Sequence, residues 1–164
     1  QFEKGAEDEL NNHRLYYTTT QDFMSFSMSK LFFDPGYSVI DATIVKRKKH
    51  DYVLVFKDNT RPMRNLKVAF GKSALGPWEN ASEPFTPADW GFCEGPTVAK
   101  VNNDYLVYFD AYTQKFFGAV KTTDFNHFES VTPQITLPEG HKHGTIIKVK
   151  QRVLDGLVIL QFIT

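Results

Sequence analysis

The feature that most limits what this chain can fold into is that it repeats itself. The segment DATIVKRKKHDYVLVF, from Asp41, aligns without a gap on EGPTVAKVNNDYLVYF, from Glu94, at a spacing of 53 residues. Asp51-Tyr52 then lies over Asp104-Tyr105. A second element, TTTQDFMSF at Thr18, returns as KTTDFNHF at Lys121, and KSALGPWE at Lys72 takes the intermediate place. A unit of about 50 residues therefore occurs three times, and a period of that length containing several strands is that of one blade of a β-propeller.

The local patterns agree. Leu15 to Thr18, Tyr52 to Phe56 and Tyr105 to Phe109 are aromatic and β-branched runs bounded by turn residues, which is strand chemistry. Further strands are expected at Leu66 to Phe70, Thr97 to Val101, Phe116 to Lys121, Thr145 to Val149 and Val153 to Phe162, with no long helix to compete. The expected fold is all-β, a partial propeller of about three blades, in one domain spanning the 164 residues. About three blades are too few to close such a ring. The apolar segment Val153 to Phe162 is then expected to face a missing neighbour.

The 19 basic and 19 acidic side chains cancel, so no net field favours nucleic acid or an anionic membrane surface. The Lys46 to Lys49 run reads as a solvated hairpin tip. No apolar stretch reaches the roughly 18 residues of a membrane span, and Gln1 to Leu10 is too polar for a signal peptide. Cys93 is the lone cysteine, which excludes an internal disulfide and a cysteine-cluster zinc site.

In a propeller the innermost strand of each blade lines a central channel, so equivalent residues of successive blades converge. The repeat places Asp41 and Glu94 in that position, each heading an apolar strand where an unpaired charge is costly. Two or more carboxylates around a pocket are what glycosidic cleavage requires, since the leaving oxygen must be protonated while water or a carboxylate attacks the opposite face. Glu94 is the better acid candidate, because Phe92, Cys93, Pro96 and a second anion should raise its pKa. Asp110 ends an apolar strand near the same channel, as a strand-end cap or a site residue. Trp90 and Phe92 serve either as an aromatic wall for a sugar or as core packing, whereas Trp78 is expected to be packing.

The strings FFDPGYSVIDATIV, SALGPWE, FCEGPTVAK, YLVYFDAY, TTDFNHF and HGTIIKV, in this order from about Arg14 to Val149, resemble glycoside hydrolase family 43. That resemblance implies a propeller of about five blades acting on arabinose- or xylose-containing plant-type glycans by inversion. It assigns Glu94 as general acid, Asp41 as the residue that tunes its pKa and orients substrate, and His143 as a residue near the pocket or a central cation. No cofactor is then required, although a structural calcium in the channel is possible, reached by His143 through water. The general base should be an Asp from the first blade. No residue here matches it, since Asp8 lies in a polar stretch and Asp22 in the outer TTTQDF element.

The chain thus reads as roughly blades two to four, with N-terminal and C-terminal blades missing and no turnover expected from it alone. A non-catalytic carbohydrate-binding fragment and a structural fragment that self-associates through open blade edges are the alternatives. Glycan degradation suits a secreted or periplasmic location, which nothing in the sequence reports.

Overall fold

A computed structural model describes residues 12–136 and 140–161. Three antiparallel sheets carry the chain. Strands β1 (Leu15–Tyr17) and β2 (Lys30–Phe33) form a two-stranded hairpin. Strands β3 (Val39–Lys48), β4 (Asp51–Asp58), β5 (Asn65–Gly71) and β6 (Trp78–Glu79) follow as a four-stranded meander. Strands β7 (Glu94–Val101), β8 (Asp104–Ala111), β9 (Phe116–Thr122) and β10 (Glu129–Ser130) form a second one, and among the described residues the sheets do not close into a barrel.

Burial explains the stacking. On β4, Leu54 and Phe56 face the hairpin and pack with Phe33, Val39, Ala69 and Trp78. The alternate residues, Val53 and Val55, face the other way and pack with Tyr105, Val107, Phe109 and Val120 of the following sheet. Because strand side chains alternate between faces, an unbroken apolar run such as YVLVF marks a strand covered on both sides. Trp78 packs edge-on against Phe32 at 5.6 Å, as expected of a packing residue.

The outer element repeats in geometry as well as in sequence. In the turn after β1, Thr20 Oγ1 accepts from Phe23 N at 2.9 Å, while Asp22 Oδ1 accepts from Met24 N and Ser25 N. In the turn after β9, Thr122 Oγ1 accepts from Phe125 N at 2.8 Å, and Asp124 Oδ1 accepts from Asn126 N and His127 N. Phe23 and Phe125 share a left-handed backbone, at φ 57° and 63°. The β1–β2 hairpin therefore occupies the place in its repeat that β5–β6 and β9–β10 occupy in theirs.

The inner repeat is less regular than its sequence. Both hairpins turn at the same register, Lys48 opposite Asp51 and Val101 opposite Asp104. Strand β3 then carries two register shifts, between Lys46 and Lys48 and between Ile40 and Thr43, whereas β7 carries one, between Glu94 and Thr97. Glu94 consequently faces Asp110, but Lys57, the residue 53 positions before Asp110, faces Ile40 rather than Asp41. The expectation of strictly equivalent positions for Asp41 and Glu94 is corrected by one residue. Arg47, the extra residue of the first shift, is not a solvated tip: it bonds Asp51 Oδ1 and donates from Nη1 to Asp124 O at 3.0 Å, joining the two meanders.

Two expected strands are absent. Val153 to Phe162 was expected as a strand, but helix α1 spans Gln151–Gln161, and Phe162 lies outside the described residues, as does Asp8. Val153, Leu154 and Leu157 also fit a helical period, and without a partner ladder only a helix satisfies the backbone internally. Thr145 to Val149 forms no ladder, and Ile146 N donates to Thr97 Oγ1 at 3.2 Å.

The twin turns give a direct test of the packing. Phe125 is 0% exposed and Phe23 is 84% exposed. Phe125→Ala should cost about 3–5 kcal/mol by urea unfolding, whereas Phe23→Ala in dilute solution should stay within about 0.5 kcal/mol of the wild type.

Candidate functional site

The first strands of the two meanders lie side by side and present their heads together. Thr43 Oγ1 donates to Pro96 O at 2.7 Å across the boundary, and Gly95 N donates to Asp41 Oδ2 at 3.1 Å. Asp41 and Gly95 both sit at the register shifts with left-handed backbone, φ 51° and 59°. Glycine takes that conformation freely, and Asp is among the residues that tolerate it best. The bulges turn Asp41 and Glu94 towards a common point, where His143 arrives from the segment after the second meander. One ligating atom of each of Asp41, Glu94 and His143 lies within 4.8 Å of the others. An open cavity of about 470 Å³ is lined there by Asp41, Ala42, Gly95, Pro96, His143 and Gly144.

Both oxygens of Glu94 are engaged. Oε1 is 3.0 Å from His143 Nε2, and Oε2 accepts from Lys57 Nζ at 2.8 Å. Lys57 is 3% exposed and its ammonium also lies 4.9 Å from the centre of the Tyr112 ring. His143 Nε2 is 4.0 Å from Asp110 Oδ2. A rule follows from these contacts: each head residue meets the end of the second strand in the preceding sheet, Glu94 meeting Lys57 on β4 and His143 meeting Asp110 on β8.

The electrostatics differ from the sequence expectation. Partial burial pushes the Glu94 carboxyl up, but hydrogen bonding and charge from Lys57, and then from His143, hold it below its ordinary value. The expected rise at Glu94 is therefore corrected, because the nearest charge is a buried cation. The raised carboxyl is Asp110, lifted by burial, opposed by His143 and pushed further by the charge on Glu94. Burial also pushes the Cys93 thiol up to about 11, which removes it as a nucleophile near neutral pH.

Of the other expected site residues, Phe92 lies near the cluster, its ring 6.2 Å from Tyr112 and 5.9 Å from the Arg64 guanidinium. Trp90 instead packs on Phe109 and Phe116, at 5.6 and 5.5 Å, over the core between the meanders. Asp22 serves its turn. Lys57 was missed as a site residue, whereas Tyr112 is, like Trp90, a candidate for either substrate contact or core packing from its residue type alone. The available signal was Lys57 standing 53 residues before Asp110, which places opposite charges at matching strand ends.

Asp41, Glu94 and His143 are spaced closely enough to hold a cation. Calcium takes roughly six to eight oxygens, and two carboxylates with one imidazole are a thin donor set for it. The Lys57 ammonium also already neutralises Glu94. These three side chains alone do not complete a calcium shell.

The Lys57–Glu94 pair makes stability depend on pH with a definite sign. The folded value of Glu94 lies below its ordinary 4.5, so the pair contributes stability above that pH and loses it as pH falls through the folded value. In Lys57→Met only His143 opposes burial, so the loss as pH falls below 4.5 should shrink. Urea midpoints across that window measure it.

Comparison with known proteins extends this geometry. A family model described as a probable glycosyl hydrolase domain, related to glycoside hydrolase family 43, matches residues 2–155. No curated protein sequence matches the chain. Among solved structures, a Bacteroides thetaiotaomicron VPI-5482 protein described as "a putative glycosidase" superposes with a TM-score of 0.59 at 20% identity, over 78% of this chain and 44% of that one. At that identity the likeness is one of fold, and this chain spans under half the length of that structure. With the family model covering nearly the whole sequence, the chain belongs to the family of probable glycosyl hydrolase domains related to glycoside hydrolase family 43.

Proposed function

We propose that this chain supplies the acid half of a glycoside hydrolase site, and that its two meanders and hairpin are successive blades, roughly two to four, of a propeller of about five. The observation that carries the reading is the convergence within 4.8 Å of Asp41 and Glu94, from the heads of the two meanders, and His143, from the segment that follows them. The family's glycosidase character supports a carbohydrate as the ligand. Arabinose- or xylose-containing plant-type glycans are the proposed substrates.

In this reading Glu94 protonates the leaving oxygen, and Asp41 orients the sugar while its charge favours the protonated form of Glu94. Asp41 is too close to Glu94 to act as the base, since inversion needs carboxyls roughly 6.5–9.5 Å apart to admit a water. The base is therefore assigned to an Asp outside this chain. Phe92 and Tyr112 offer apolar surface beside the acid, and Asp110 and His143 can bond sugar hydroxyls.

The Lys57–Glu94 contact favours a second reading, a site that binds oligosaccharide without cleaving it. A carboxylate bonded on both oxygens is well placed to accept from sugar hydroxyls and poorly placed to give a proton.

One set of measurements separates the two. Arabinobiose or xylobiose should raise the melting temperature of the wild type, and Asp41→Asn should weaken that binding by roughly tenfold, about 1.4 kcal/mol. 4-Nitrophenyl α-L-arabinofuranoside and β-D-xyloside should not turn over with water alone. Azide, a nucleophile that needs no base, should yield the inverted glycosyl azide with a substrate such as the 4-methylphenyl glycoside, whose leaving group needs a proton. Loss of that product in Glu94→Gln would confirm the acid. Binding with no azide product would establish the second reading, and neither binding nor product would sink both.

A further inference from the structure

The loops at the site end of the two meanders share a feature that strand pairing does not require. The loop after β4 runs through residues 59–64, between Asp58 and its partner Asn65, and the loop after β8 through residues 112–115, between Ala111 and its partner Phe116. The loops differ in length, yet each ends in a basic residue, Arg64 and Lys115, with left-handed backbone at φ 41° and 59°. Glycine or asparagine is the ordinary occupant of such a turn position. A long basic side chain held there twice, against the backbone preference, points to a task for the side chain.

Neither cation is spent on the fold. Among the described residues Arg64 and Lys115 make no ion pair and no side-chain hydrogen bond. Two acids at this end are already taken, Glu94 by Lys57 at 2.8 Å and Asp58 by Lys67 at 2.9 Å. Arg64 is nonetheless fixed: its N donates to Thr60 O at 3.2 Å, its carbonyl accepts from Cys93 N at 3.1 Å, and its Nε is buried. The guanidinium lies 5.9 Å from the centre of the Phe92 ring, and Phe92 is 6.2 Å from Tyr112, which the Lys57 ammonium approaches to 4.9 Å while bonding Glu94. Two aromatic rings therefore line the way from the acid to Arg64. Tyr112 and Lys115 also border a cavity of about 620 Å³ beside Asp110. Both loops stand at strand ends, so flanking blades of the proposed ring, which would cover sheet faces, leave them open.

We infer that Arg64 and Lys115 form a subsite for the carboxylate of an acidic sugar, so that the glycan taken by this site carries a uronic acid next to the unit held at Glu94. The inference rests on the carbohydrate reading above and narrows it to a substrate class. A guanidinium presents a planar fork that matches a carboxylate through two parallel hydrogen bonds, and aromatic rings such as Phe92 and Tyr112 offer flat apolar surface to a sugar face. The chain has a net charge of zero, so a preference for an acidic ligand comes from this local placement and not from an overall field. Arg64 carries the larger share because it is held in place, whereas Lys115 is exposed and adds a charge on a flexible stem.

Calorimetric titration of the full chain with glucuronosyl-xylose and with its carboxyl-reduced twin, glucosyl-xylose, tests it. The wild type should bind the acidic disaccharide at least about tenfold more tightly, and the preference should shrink but persist at about 0.15 M salt. Arg64→Asn, a residue that suits the left-handed turn, should bring the preference to within about twofold and leave affinity for the neutral twin unchanged. Lys115→Asn, at an exposed turn residue, should cut it about threefold. Lys49→Asn, at the opposite hairpin tip, should leave it intact. Equal binding of the twins by the wild type overturns the inference and leaves the carbohydrate reading standing, whereas binding of neither defeats both. A preference that survives in Lys115→Asn or in a folded Arg64→Asn, or that falls as far in Lys49→Asn, also overturns it, because the attraction is then a general one.

Discussion

Strand β4 is buried on both faces, and the rest of the molecule is arranged by that constraint. Leu54 and Phe56 require the hairpin on one side, and Val53 and Val55 require the second meander on the other. Once both sheets are stacked on β4, the end of the strand has only one direction left. Lys57 follows the apolar run and is carried between the sheets, where a 3% exposed ammonium must find an anion. Glu94, at the head of the adjoining sheet, is that anion. The site is in this sense a by-product of stacking: sheets that pack face to face bring strand ends and strand heads into contact.

Much of this was legible in the sequence. The repeat, the alternation and the turn residues gave the sheets and their order, because these depend on local periodicity and on chemistry that recurs. The same repeat put Asp41 and Glu94 at strand heads, the family resemblance pointed to His143, and the structure brings the three together. What could not be read was anything that depends on one inserted residue. The 53-residue alignment is ungapped, yet β3 spends Arg47 on a register shift that β7 lacks, so identical spacing conceals a change of phase. The tail was misread because an apolar segment of about ten residues suits a strand or a helix equally until its partners are known.

Glu94 shows the other limit. Its sequence neighbours are apolar and argue for a raised carboxyl, while the group that controls it is 37 positions earlier in the chain. Sequence adjacency reports the desolvation of a residue better than its charge partners, which come from other strands. Trp90 illustrates the same point: it is four residues before Glu94 but points into the core on Phe109 and Phe116.

Gly95 carries a consequence of a different kind. Its backbone is left-handed, and a Cβ there would lie 2.9 Å from the His143 ring. The second of these constraints concerns the site alone, since the His143 side chain is half exposed and contributes little to the core. Alanine at 95 would strain the left-handed bulge and press on the imidazole at once, so a single hydrogen in place of a methyl lets the backbone turn and the His143 ring share the same space.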